Sequence, residues 1–188
     1  MGVEEKSLEL KTRRVIYNHI LKNPGLHERE ISRQLDMPLG TIDYHLYYLR
    51  KKELVITRSD GHYTKYYAAG KVGEKDKKIL AILRQKAPRR IIIFLLLNNF
   101  SFHRDIRNHL NLAPSTISFH LNKLVGLDLI NKYQSGRDTI YSIREPEYIS
   151  DLLVLYKKSF LDDAVERFAD TWLDLHPKHL RKSKKGRK

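Results

Sequence analysis

The sequence predicts a mainly α-helical protein with small β-hairpins, built from two tandem copies of one unit and a C-terminal helical segment. Three observations support this: an internal repeat, helical spacing of apolar residues within each copy, and turn-forming residues between two β-prone runs. The chain has 188 residues, 41% of them hydrophobic, which is enough for two small folded domains.

The repeat organises most of the chain. Residues 13–68 align with residues 89–143 at an offset of 76, which becomes 75 after a one-residue deletion. Apolar positions coincide along the alignment, for example Ile16 with Ile92, Ile20 with Leu96, Ile31 with Ile106, Ile42 with Ile117, Leu46 with Leu121 and Leu49 with Leu124. We expect a first unit at 1–70, a connecting helix at 71–87, a second unit at 88–146, a helical segment at 147–175 and a basic disordered tail at 176–188.

Each copy is expected to contain three helices and a hairpin. In the first copy the helices span about 12–22, 28–35 and a stretch beginning at Leu39, with Val15, Ile16 and Ile20 facing inward. Two β-prone runs follow, on either side of a turn that contains Asp60-Gly61. A short helix, a tight turn and a second helix are typical of a helix-turn-helix, and the hairpin after it is typical of a wing. The fold class is therefore α+β, mainly α with small wings: two tandem winged helix-turn-helix domains.

The third helix of each copy is the expected DNA reader, because its inner stripe is apolar and its outer stripe can enter the major groove. Hydroxyl residues suit phosphate contact, while Asn, Tyr, Phe and Asp can meet base edges and thymine methyls. The outward residues are Gly40, Thr41, Asp43, Tyr44 and Tyr47 in the first copy and Ser115, Thr116, Ser118, Phe119 and Asn122 in the second.

Basic side chains outside these helices are expected to contact the DNA backbone. Arg137 at the second hairpin tip is the clearest wing contact, with His62 and Lys65 as weaker counterparts in the first. Arg89 and Arg90 begin a helix, where positive charge opposes the helix dipole, so a phosphate contact would explain them. A surface or inter-unit salt bridge explains them equally well.

The charge balance points to a polyanionic partner. The chain carries 36 Lys and Arg against 22 Asp and Glu, a net charge of +14, and 7 of the basic residues lie in 176–188. This tail is either a solubilising terminus or, as we favour, an arm that adds non-specific DNA affinity. The longest apolar run, 91–97, is too short to cross a bilayer, and no signal peptide is visible, so we expect a soluble, cytoplasmic protein without membrane contact.

The motifs Thr-Ile-Asp-Tyr-His-Leu at 41–46 and Thr-Ile-Ser-Phe-His-Leu at 116–121 resemble winged-helix regulators of the ArsR and MarR type. Their tandem arrangement, with the stretch 158–168 after them, resembles archaeal two-wing transcription regulators. The resemblance implies sequence-specific binding of double-stranded DNA, and some relatives of this kind activate archaellum genes or recruit the basal transcription factor TFB. The absence of cysteine departs from thiol-sensing members of the superfamily.

Other functions are weighed against this one. His45 and His120 are expected to be half-buried structural residues, so we predict no metal site and no cofactor. No catalytic motif is present, and we predict a non-enzyme. The apolar face of 147–175 is covered within the chain, by a second subunit in a homodimer, which we favour, or by a transcription factor. Two alternatives stay open: a protein-interaction module with only the second unit on DNA, and an RNA or single-strand binder.

Overall fold

The computed structural model describes residues 3–61 and 63–176 of the chain. These residues form two compact units, which we call unit 1, ending at Arg84, and unit 2, beginning at Gln85. Each unit contains short helices and an antiparallel hairpin, which confirms the predicted fold class. The division falls inside the segment 71–87, which was expected to connect the two copies.

The described residues of unit 1 form four helices and one hairpin. Its elements are α1 (Val3–Lys22), α2 (Glu28–Leu35), α3 (Leu39–Lys51), β1 (Val55–Asp60), β2 (Tyr63–Ala68) and α4 (Glu74–Leu83). The start of α2 is stabilised by the Glu30 carboxylate, which accepts a hydrogen bond from the His27 backbone N–H at 3.0 Å. The helix ends at Asp36, whose left-handed conformation (φ 51°) turns the chain into α3.

The described residues of unit 2 repeat the first three helices and the hairpin of unit 1, with an additional strand after the first helix and three helices after the hairpin. Its elements are α5 (Lys86–Asn98), β3 (Phe100–Phe102), α6 (His103–Leu110), α7 (Pro114–Gly126), β4 (Ile130–Ser135), β5 (Asp138–Ile143), α8 (Pro146–Leu155), α9 (Lys157–Phe160) and α10 (Asp163–Leu175). Asp105 accepts a hydrogen bond from the Phe102 backbone N–H at 3.4 Å, and Asn111 (φ 50°) ends α6. An acidic side chain at the start of the first helix and a left-handed residue at its end therefore position α2 against α3 and α6 against α7 in the same way.

The two units bury the same stripe of side chains. In unit 1 the core contains Ile16, Ile20, Ile31, Ile42, Leu46, Leu49, Val55 and Tyr66. The aligned residues of unit 2 are also buried, namely Ile92, Leu96, Ile106, Ile117, Leu121, Leu124, Ile130 and Tyr141. Each aliphatic side chain removed from water contributes on the order of 1.5–3 kcal/mol, so this stripe determines how the helices pack.

Both hairpins turn in two residues. Asp60 pairs with Tyr63 in one and Ser135 with Asp138 in the other. Glycine stands at the first loop position in each, with φ of 61° at Gly61 and 60° at Gly136. A two-residue hairpin loop requires positive φ at this position, which glycine adopts without steric cost.

The structure corrects several expectations from the sequence. Helix α1 begins at Val3 rather than near residue 12, and Val15, expected in the core, is exposed. The stretch 100–102, which lies outside the three helices and the hairpin expected for the second copy, is strand β3 and pairs with β5. In unit 1 the equivalent pairing is a single bridge between Leu26 and Tyr66. The segment 147–175 forms three helices, because Tyr156 and Leu161 interrupt it.

The C-terminal helices bury most of their apolar face within unit 2, where α10 packs against α8, α9 and α5. Their buried residues are Ile149, Leu152, Leu153, Phe160, Val165, Phe168, Ala169 and Trp172. The interpretation that this face is covered within the chain therefore holds for these eight side chains. Among the described residues, no helix is both long and apolar enough to cross a membrane.

His45 and His120 occupy equivalent places on α3 and α7, His45 buried and His120 half-buried. The Nδ1 atom of each ring is shielded from solvent and has no hydrogen-bond partner. Burial, and after it the positive charge of Arg13, lowers the pKa of His45, although Glu9 opposes the shift. Burial and Lys123 lower the pKa of His120. Both rings are therefore neutral parts of the helix packing.

Replacing both histidines should weaken the dependence of stability on pH. A histidine whose pKa is lower in the folded state is protonated more readily in the unfolded chain. The free energy of unfolding therefore falls as the pH drops below the ordinary value of 6.5, by less than about 1.4 kcal/mol per pH unit for each ring. We expect a His45→Gln/His120→Gln variant to lose part of this slope between pH 7 and pH 5. Urea unfolding at several pH values measures this slope. At pH 8, where both histidines are neutral in the folded and unfolded chain, the difference between variant and parent reports the effect of the substitutions on packing alone. An unchanged slope would contradict the role given to the two histidines.

Candidate nucleic-acid interface

In unit 1, the α2–turn–α3 segment is a helix-turn-helix whose second helix has one buried and one open stripe. Ile42, Leu46 and Leu49 point into the core, where α3 packs against α1 and α2. Of the predicted outward residues, Thr41 is half-buried, and four are exposed: Gly40, Asp43, Tyr44 and Tyr47. The structure thus brings the five together on one surface.

Helix α7 of unit 2 presents the equivalent surface with different chemistry. Phe119 is 64% exposed, and Ser115 and Asn122 lie beside it on the open stripe. Thr116 and Ser118 are half-buried at the start of the helix. An aromatic ring, hydroxyls and an amide on one stripe can contact thymine methyls, phosphates and adenine edges.

His103 belongs to this surface, although it was not predicted from the sequence. It is the first residue of α6, and a hydrogen bond of 3.1 Å joins its Nε2 to the Ser118 Oγ. Arg104 follows it and is exposed, with its guanidinium 5.0 Å from the centre of the Phe102 ring. The repeat alignment could have identified His103, because it falls on Glu28 at the start of α2.

The wing of unit 2 adds two exposed basic side chains. Arg137 is exposed in the two-residue turn between β4 and β5, where the sequence predicted a backbone or minor-groove contact. Lys132 is exposed on β4 and was not predicted. In unit 1 the corresponding candidate His62 lies outside the described residues.

Lys65 is a correction to the predicted interface. The residue is only 7% exposed, and its Nζ lies 4.0 Å from the Glu30 carboxylate. The ammonium also lies 5.8 Å from the centre of the Tyr63 ring. Lys65 therefore has a structural role between β2 and α2, and we remove it from the proposed interface.

Arg89 is a second correction. It is 6% exposed, and its Nε donates a hydrogen bond of 3.0 Å to Asp162 Oδ2, to which Nη2 also donates. Burial acts to raise the pKa of Asp162, but the bonds from Arg89 and the Ala164 amide outweigh it and hold that pKa below its ordinary value. The salt-bridge interpretation therefore applies to Arg89. Arg90 is half-buried, and its contact with DNA stays a prediction.

The outward surface of unit 1 carries a pair of carboxyl groups. Glu28, the first residue of α2, lies close enough to Asp43 of α3 for their charges to interact. Burial, and after it the charge of Asp43, raises the pKa of Glu28, although Arg29 opposes the shift. The Tyr44 hydroxyl donates to Glu9 Oε1 at 3.3 Å, which adds a third acidic group. This surface is thus more acidic than that of unit 2.

Within the described part of the chain, no group of three or more histidine and carboxylate side chains is placed to hold a metal ion. His45 and His120, the histidines considered for such a role, are packed against Tyr44 and Phe119, with ring centres 5.1 and 5.2 Å apart.

Comparison with known proteins identifies the two helix-turn-helix segments. Residues 10–80 match the family model described as an N-terminal HTH domain, and residues 87–132 match the model of the arsR family of bacterial regulatory proteins. The predicted pair of helix-turn-helix domains is thereby confirmed, one in each unit.

A relative from the archaeon Methanocaldococcus jannaschii, named an uncharacterized HTH-type transcriptional regulator, is 37% identical over 143 residues. The match covers 76% of this chain and 36% of the relative, so the chain spans little more than a third of that protein's length.

Solved structures are similar at lower identity. A crystal structure of an ArsR family transcriptional regulator is 16% identical, with a TM-score of 0.36, over 47% of this chain and 91% of its own. Lactococcus lactis ZitR, described as a zinc-responsive MarR family member, is 12% identical, with a TM-score of 0.35, over 76% of this chain and 96% of its own. At these identities and TM-scores the likeness carries no argument about function.

The structural role of Arg89 can be tested by removing its charge while keeping its stem. Arg89→Met leaves the Asp162 carboxylate without its guanidinium partner, and we expect a loss of about 2–4 kcal/mol in the free energy of unfolding. Arg90→Met, one residue on, should cost less than about 1 kcal/mol. Urea unfolding of both variants measures the difference. If Arg89→Met leaves the stability unchanged but weakens DNA binding, the structural role is wrong and Arg89 contacts a phosphate, as the sequence suggested.

Proposed function

We propose that this chain is a sequence-specific, double-stranded DNA-binding transcription regulator, with α7 in the major groove and the β4–β5 wing on the backbone or minor groove. The observation that carries the proposal is the open stripe of α7, where Ser115, Phe119 and Asn122 stand exposed opposite the buried Ile117, Leu121 and Leu124. The buried stripe anchors the helix, and the open stripe presents groups that can read bases.

The charges around this stripe support a duplex partner. Arg104 on α6 and Arg137 and Lys132 on the wing are exposed on elements that flank α7. Cations on both sides of a groove-reading helix can neutralise the phosphates on both sides of the groove. The name of the 37% identical archaeal relative, a transcriptional regulator, agrees with this proposal. As a DNA-binding regulator the chain would act in the cytoplasm.

Two partners remain predictions. The C-terminal helices already bury eight apolar side chains within unit 2, which leaves Leu155, Leu161 and Leu175 as their exposed leucines. A homodimer through this segment would have to use that smaller surface. A basal transcription factor is suggested by the resemblance to archaeal regulators alone.

Base-reading and phosphate-contacting residues should have different effects on binding. Selection from a random duplex pool supplies the preferred sequence, and fluorescence anisotropy then measures affinity. Phe119→Ala/Asn122→Ala should weaken binding to the selected duplex by roughly 1–3 kcal/mol per lost base contact and reduce the preference over random duplex.

Arg137→Ala should instead weaken binding to both duplexes alike and reduce the salt slope by about 1. Asn98→Ala, an exposed amide on α5, is the matched control and should change neither quantity. The assignment of α7 fails if the double variant selects the same sequence with unchanged affinity. A preference for single strands at matched salt would contradict duplex recognition altogether.

A further inference from the structure

The repeat places the same two positions together in both units but gives them opposite chemistry. The first residue of α2 and the fifth residue of α3 occupy the same places in the repeat as the first residue of α6 and the fifth residue of α7. In unit 2 these residues are His103 and Ser118, joined at 3.1 Å. In unit 1 they are Glu28 and Asp43, two carboxyl groups close enough for their charges to interact. We call the latter the carboxyl pair.

Carboxyl groups carry negative charge at neutral pH, so the carboxyl pair repels a phosphate. His103 and Ser118 instead offer N–H and O–H groups that can donate to phosphate oxygens. The same place on the two helix-turn-helix segments therefore repels the DNA backbone in unit 1 and attracts it in unit 2.

The carboxyl pair lies at the part of the helix-turn-helix that would meet the DNA backbone. In a helix-turn-helix the first helix crosses the DNA backbone, and its N-terminus has unpaired N–H groups that favour an anion. In unit 1 Glu28 supplies the negative charge at that terminus itself. Burial is the largest cause of the raised pKa of Glu28, and the charge of Asp43 acts on that pKa more strongly than the opposing charge of Arg29 beside it.

The residues around the carboxyl pair do not reverse its charge. Tyr44 is held by its hydroxyl to Glu9 Oε1, and Tyr47, 66% exposed, carries no charge at neutral pH. Arg13 of α1 lies 3.5 Å from the Glu9 carboxylate and 3.6 Å from the centre of the Tyr48 ring. The Arg13 guanidinium therefore packs against Glu9 and Tyr48.

We propose that the carboxyl pair excludes the DNA backbone from the helix-turn-helix of unit 1, so that unit 2 alone reads DNA through α7. The inference rests on the DNA-binding function proposed above. It makes Glu28 and Asp43 determinants of which unit binds, and it revises the expectation that both recognition helices enter the groove.

The absence of cysteine from the chain allows a direct test, because a single introduced cysteine can carry a tethered iron–EDTA reagent that cleaves nearby DNA. Gly40 is exposed at the second position of α3, where a Cβ meets nothing within 4 Å, and Ala113 is exposed directly before α7, outside the residues proposed to contact DNA. On the selected duplex, the full chain with Ala113→Cys should cleave at a defined position, and the chain with Gly40→Cys should not.

Exchanging the pair should transfer DNA binding to unit 1. Glu28→His/Asp43→Ser should produce cleavage from Cys-labelled position 40, tighten binding about ten-fold, and steepen the salt slope by about one phosphate contact. Glu28→Gln/Asp43→Asn removes the charge with little change of shape and should show the same effects in smaller degree. The reciprocal His103→Glu/Ser118→Asp should weaken binding at least ten-fold.

The control is Glu53→Asn/Glu74→Gln, which raises the net charge by the same two units from exposed sites outside α2 and α3. This control should produce no DNA cleavage from the cysteine at position 40. Circular dichroism verifies that every variant is folded. Cleavage from position 40 in the otherwise unchanged chain, or no gain in either pair variant beyond the control, would overturn the inference. Failure of the pool to yield any preferred duplex would instead overturn the proposed function.

Discussion

The structure depends on one constraint: a single helix in each unit must anchor the core and also present the outer surface. In α3 the buried residues Ile42, Leu46 and Leu49 recur at the spacing of one helix face, and the helices before it cover that face. Once this stripe is buried, the opposite stripe has to face solvent. Recognition chemistry can then vary on the open side without disturbing the packing that holds the helix in place.

The two units share the positions of the buried stripe but differ in the residues of the open stripe. Eight buried positions coincide along the alignment, and helices α2 and α6 end at equivalent left-handed residues, Asp36 and Asn111. Their open surfaces differ in charge and hydrogen-bonding capacity, most clearly where Glu28 in one unit stands in the place of His103 in the other. Equal scaffolds therefore do not imply equal ligands, because the scaffold depends on apolar burial and the ligand on exposed polar groups.

The role of a charged residue, unlike that of an apolar core residue, depends on the group that its side chain contacts. Arg89 meets Asp162, which is 73 positions away in the sequence, and the pair ties α10 to α5. Asp162 also caps α10, because its side chain accepts a hydrogen bond from the Ala164 N–H at 2.9 Å. Arg90, its neighbour in sequence, remains part of the proposed interface. Adjacent arginines thus lie in different environments although their sequence context is nearly the same.

The sequence by itself determined the repeat, the helix-turn-helix pairs, the hairpins and the open stripes of α3 and α7. These features arise from local periodicity and turn chemistry, which a single chain displays directly. Tertiary structure alone decided that Lys65 and Arg89 are buried in ion pairs, that residues 100–102 form a strand, and that His103 joins Ser118. Each of these depends on a partner distant in sequence, and periodicity carries no information about such pairings.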